Sequence, residues 1–142
     1  MPAITTSRFG EVEVDDDEIV TFPDGIVGFA MTTEVVLLPV DEDGLFFWLQ
    51  DARNPDLAFL AVTPWPLFPD YEPVLEDSDQ ELLSLDDAAE AIVFCLVSGH
   101  GEPRHFTANL LGPVVINEKR RVGRQVILHA DLPTQADLPQ PA

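Results

Sequence analysis

The apolar residues of this chain come in runs too short to build helices. Val35 to Leu38, Phe46 to Gln50, Leu57 to Val62, Ala91 to Val97, Val114 to Ile116 and Gln125 to Leu128 are mostly aliphatic and aromatic stretches separated by segments that contain Gly, Pro, Asn or Asp. A helix that buries one face repeats its apolar positions over about ten residues or more, whereas a strand needs only four to eight. Repeated at short spacing, the rhythm of apolar run and turn cluster predicts an antiparallel all-β barrel or sandwich. Phe9 to Val14 adds the period-two signature of a half-buried strand, with Val12 and Val14 on one face and Glu11 and Glu13 on the other. Asp15 to Asp17 turns the chain into Ile19 to Phe22, which gives a first hairpin closed by Pro23, Asp24 and Gly25.

Two stretches depart from the rhythm. Thr63 to Pro73, TPWPLFPDYEP, holds four prolines, which remove backbone donors and exclude a central strand or a helix interior. Its Trp65, Phe68 and Tyr71 either plug the end of a barrel or stand out as a binding surface. For Trp65 and Phe68 the plug is the favoured reading, because most large aromatic groups are core. Ser78 to Leu85 is the one helix the sequence predicts. There Ser78 and Glu81 match a capping box, and Leu82 and Leu85 share a face. Ala91 to Val97 is the most apolar run and reads as a central strand.

The basic residues are concentrated in one place. Lys119, Arg120, Arg121 and Arg124 are four of seven in a chain of formal net charge -19. They lie between Val114 to Ile116 and Gln125 to Leu128, an arrangement that reads as a hairpin with a positive tip whose connection includes Gly123. Such a tip is either a solvated turn paired with acidic runs of the same chain or a contact for an acidic partner or nucleic acid.

At 142 residues and 46% hydrophobic content, one domain over residues 1–130 suffices to build a core without metal or disulfide, followed by a flexible tail at 131–142 with three prolines. The lone Cys95 allows no internal disulfide. With no basic-apolar leader and no membrane-length apolar stretch, the expectation is a cytoplasmic protein. Twenty-six acidic residues repel phosphates and anionic lipid, so neither direct nucleic-acid binding nor membrane binding is expected. Catalysis has little to draw on. His100 and His105 flank Glu102 at a spacing that matches no established ligand pattern, carboxylates are too abundant to single out a pair, and no phosphate-cradling glycine motif is present. The reading is a non-enzyme without cofactor or metal.

FGEVEV, IVTFPDGIVGF, VVLLPV, PDLAFLAVTPWPLFPDYEP and FTANLLGPVVINEKRRVGRQVIL, spanning Phe9 to Leu128 in that order, together resemble the flagellar assembly factor family, FliW. Two features depart from the family pattern: the extra prolines of TPWPLFPDYEP, and an ending that lacks the aromatic and basic residues of relatives. The resemblance implies an all-β, barrel-like, non-catalytic protein. It also implies binding to the small dimeric translational regulator CsrA, relieving its repression of the flagellin message, and binding to flagellin in a partner-switching loop. The alternative is a flagellin-specific export chaperone without regulator binding. The negative charge agrees with a basic, RNA-binding partner. Phe68, Asp70, Tyr71 and Glu72 are the expected contact residues, because aromatic anchors there adjoin carboxylates able to meet arginine bidentately. The free protein is expected to be a monomer.

Overall fold

The computed structural model describes residues 3–6, 10–14, 18–40, 42, 44–86, 91–100 and 105–138. Along the chain these form β1 (Ala3–Thr6), β2 (Gly10–Glu13), β3 (Ile19–Thr21), β4 (Glu34–Pro39), β5 (Phe46–Asp51), β6 (Ala58–Val62), α1 (Asp77–Leu82), β7 (Ala91–His100), β8 (His105–Ala108), β9 (Val114–Asn117), β10 (Val122–Gln125) and β11 (Ala136–Asp137). Strands β7, β6, β5, β4, β3, β10 and β9 pair in that order, and β9 returns to β7 to close a seven-stranded barrel. All these pairings are antiparallel except β3 with β10. The all-β barrel with one short helix expected from the run lengths is the fold observed.

Strand β7 is central, as its composition predicted. Its first half pairs with β9 through Ala91↔Asn117 to Phe94↔Val114, and its second half pairs with β8 through Val97↔Ala108 to His100↔His105. Period-two alternation then sorts the apolar side chains to the two faces of the wall. Val20, Val35, Leu49, Ala61, Phe94, Val114 and Ile116 join Phe22 and Ile26 in one buried cluster that fills the barrel. The neighbouring residues Val62, Val93, Cys95 and Val115 face outward, where Tyr71, Leu83 and Leu85 cover them. A third cluster, Val14 and Val36 with Val12, Ile19 and Leu38, lies outside β3 and β4.

Four sequence expectations are corrected. Strand β2 pairs with β1, through Ala3↔Glu13 to Thr6↔Gly10, and not with β3, whose partners are β4 and β10; the Asp15–Asp17 turn lies outside the described residues. The helix starts earlier, with Glu76 as N-cap donating its backbone N–H to the Asp79 carboxylate at 3.3 Å, so the cap is not Ser78 with Glu81. Leu83 and Leu85 are buried, while Leu82 points to solvent. The tail does not run free from 131. Leu132, Ala136 and Leu138 pack on the core, and β11 pairs with β8 through Ala136↔Ala108. Residues 139–142 lie outside the described residues.

The basic hairpin forms, with a shifted second strand. Strand β10 begins at Val122 opposite Asn117, leaving Glu118 to Arg121 as the connection. Gly123 therefore sits inside the strand, and the left-handed turn position is taken by Arg121 at φ 52°. Glycine is required at 123 for another reason. A Cβ there would lie 2.6 Å from Cζ of Phe22, inside the barrel.

Candidate partner-binding surface

The proline-rich segment between β6 and α1 wraps the outside of the barrel in two successive turns. The Pro64 carbonyl accepts from the amides of Leu67 (3.1 Å) and Phe68 (2.7 Å), and the Phe68 carbonyl accepts from Tyr71 (3.0 Å). Proline fixes φ near the value these turns need, so the segment is stiff without ladder bonds. Tyr71 pins it down. Its ring is 5% exposed in the outer cluster and its hydroxyl donates to the Leu110 carbonyl at 2.6 Å. Trp65 Nε1 donates to the Tyr71 carbonyl at 2.8 Å, with the two rings 6.4 Å apart.

The expected contact residues separate by role. Asp70 and Glu72 are exposed and Phe68 is half-buried, whereas Tyr71 is turned inward. Trp65 is not the plug that its size suggested, since it is 40% exposed. Tyr71 is the buried aromatic instead, covering the outside of the wall, and no sequence signal separates the two aromatics. Shallow depressions flank the segment. One of about 360 Å³ runs between Phe68, Asp70, Leu110 and Leu132. Another of about 370 Å³ lies between Trp65, Glu72, Leu75 and Val93. Each is apolar with a carboxylate at its rim. Exposed acidic groups continue at Glu76, Asp77, Glu81 and Asp86, so the surface offers apolar anchoring beside negative charge. Glu76 also meets His129 at 2.7 Å.

Two ionisable groups beneath the segment are shifted by burial. Burial pushes the Cys95 thiol up from 9.0 to about 11. Burial and then the neighbouring Cys95 likewise raise the Tyr71 hydroxyl, so both stay protonated and inert near neutrality. Among the described residues no group of three or more His, Cys, Asp or Glu side chains is placed to hold a metal ion. Glu102, and with it the pattern of His100, Glu102 and His105, lies outside the described residues.

The raised values carry a consequence for stability. Groups held neutral by the fold but free to ionise when unfolded stabilise it fully below their ordinary values, and that stability is lost as pH climbs toward the raised ones. The urea midpoint is expected to fall as pH rises from 9.0 toward about 11. In Cys95→Ala the fall should begin only near 10.0, the ordinary value of tyrosine. An unchanged onset in that variant would contradict the assignment.

Two side chains of the basic tip, Arg121 and Arg124, are committed within the molecule. Arg121 donates to the Glu18 carbonyl at 2.8 Å, and Arg124 meets Asp24 at 3.0 Å and Asp79 at 3.9 Å. Asn117, 3% exposed, ties the tip to the end of the helix. Its Nδ2 donates to the Leu83 and Ser84 carbonyls while its Oδ1 accepts from the Lys119 and Arg120 amides.

Comparison with known proteins agrees with this architecture. The FliW protein family model matches residues 3–138. The chain belongs to the FliW family. A flagellar assembly factor FliW from Magnetococcus marinus is 36% identical over 137 residues, covering 96% of this chain and 85% of that protein. One from Moorella thermoacetica is 41% identical over 126 residues, 88% of this chain and 80% of the relative. FliW of Bacillus subtilis is 35% identical over 126 residues, 89% and 88% respectively. A crystal structure of the flagellar assembly factor FliW superposes with a TM-score of 0.88 at 32% identity, covering 98% of both chains. The FliW match thus extends past Leu128, through the strand β11 that composition alone did not reveal. Among the described residues no helix is long and apolar enough to cross a membrane.

Proposed function

We propose that this chain is a cytoplasmic, non-enzymatic flagellar assembly factor that works by binding other proteins. The observation that carries the reading is FliW family membership over residues 3–138. Its partners are the translational regulator CsrA, which it keeps from repressing the flagellin message, and flagellin, which competes for it. An RNA-binding regulator is basic, and a chain of net charge -19 attracts it over distances where contacts are not yet made. The contact surface is the pinned segment, where Phe68 anchors, Asp70 and Glu72 pair with arginine or lysine, and Tyr71 holds the loop in place rather than touching the partner. The same negative field argues against direct RNA binding. The chain acts as a monomer when free.

Affinity capture from the native cytoplasm tests the proposal. A small basic RNA-binding dimer and flagellin are expected to copurify. Flagellin alone would favour the export-chaperone alternative, and neither would overturn both readings.

A further inference from the structure

Trp65 is the large aromatic that the contact surface leaves without a task. It is 40% exposed, yet its ring is tethered, because Nε1 donates to the Tyr71 carbonyl at 2.8 Å and Tyr71 is tied in turn to the Leu110 carbonyl. That bond uses the only polar atom of the indole. What the ring has left to offer a ligand is π surface, whose negative face attracts a cation.

The surroundings point to the same kind of ligand. In the depression of about 370 Å³ beside the ring, Leu75, Ala91 and Val93 supply an apolar wall and Glu72 supplies a carboxylate. Ala91 and Val93 are alternate residues of β7, so their side chains share the outward face of the barrel. The lining includes no Lys or Arg. Ion pairs among the described residues engage Asp24, Glu34, Glu76 and Asp79 and leave Glu72 out. An aromatic surface, a carboxylate without a cation and an apolar wall together fit arginine. Its methylenes lie on the wall, its flat guanidinium stacks on the indole, and its N–H fork meets the carboxylate. Lysine has the stem and the charge but neither the flat face nor the fork.

We propose that Trp65 and Glu72 form a seat for an arginine side chain of the partner, with Trp65 setting a preference for arginine over lysine. The proposal rests on the reading that the partner is basic, and it adds to the contact surface a residue not expected there.

The test uses the capped tripeptide acetyl-Gly-Arg-Gly-amide and its lysine and citrulline counterparts, each titrated into the isotope-labelled full chain. Citrulline keeps the shape of arginine and loses the charge. Saturable shifts are expected at the Trp65 indole N–H and at the Leu75 and Val93 amides, with the lysine peptide at least about threefold weaker and the citrulline peptide at least about tenfold weaker. Trp65→Leu should bring the arginine and lysine peptides to equal affinity, read at Val93. Glu72→Gln, a change at an exposed position, should weaken the arginine peptide at least about threefold and leave the resonances of the peptide-free chain in place beyond its immediate neighbours. Equal binding of the arginine and lysine peptides by the natural chain overturns the proposal, because the net negative field alone would then account for both. Shifts that miss Trp65 overturn it as well. The basic regulator is measured separately. If it fails to bind while the tripeptide preference holds, the proposed partner falls and the arginine seat stands; if it binds the natural and Trp65→Leu chains equally, the partner stands and the seat falls.

Discussion

Gly123→Ala is expected to destabilise the protein by about 3 kcal/mol, the upper end of what overpacking a core costs. The added methyl would sit 2.6 Å from Cζ of Phe22 and within 3.0 Å of two more of its ring carbons. Phe22 is fully buried in the barrel cluster, so its ring cannot retreat to solvent. The β10 backbone is held by its ladder with β9 on one side and by the Thr21 to Arg121 bond (2.9 Å) on the other, so it cannot retreat either. Chemical denaturation measures the loss. A second variant, Gly123→Ala with Phe22→Leu, should recover part of it by vacating the ring volume, although it forfeits some aromatic packing. If Gly123 were only a turn glycine, the single change would cost less and the second would add to the damage.

The largest effect on binding is expected from Asp70→Lys with Glu72→Lys. Both carboxylates are exposed, so reversing them leaves the core untouched and the melting temperature nearly unchanged. They stand at the rims of the two apolar depressions. A basic partner that meets attraction there in the natural protein would meet repulsion in the variant. Affinity for CsrA should fall on the order of 100-fold, about 2.7 kcal/mol. Reversing Glu11 and Glu13, exposed on β2, changes net charge by the same amount at a remote place and serves as the control. Equal loss in both variants would mean that the overall field, and not this surface, carries recognition.

Much of the barrel was legible because strand patterning is local. The runs at Val35, Phe46, Leu57, Ala91 and Val114 each became a strand whose ends lie within three residues of the run. What stayed hidden depends on contacts distant in sequence. Gly123 reads as a turn residue until Phe22, about a hundred positions earlier, is seen against it. Strand β1 offers only Ala3 to Thr6, too short to register as a pattern, so β2 was paired with the wrong neighbour. The two residues of β11 order the chain end through pairing with β8 and not through any propensity of their own. In the proline-rich segment the aromatic and acidic residues are legible from the sequence. Which aromatic turns inward is decided by the Leu110 carbonyl, which accepts from Tyr71.

Under the proposed function this acidic barrel captures a basic regulator chiefly through charge, at a preformed surface. The most direct test is the affinity of the purified chain for CsrA at about 0.05 M and about 0.5 M salt, conditions between which the screening length contracts roughly threefold. Binding is expected to weaken at least about tenfold at the higher salt, and this dependence is expected to largely disappear in the Asp70→Lys, Glu72→Lys variant. Affinity that stays constant across that range, or a salt dependence that survives the charge reversal intact, would contradict it.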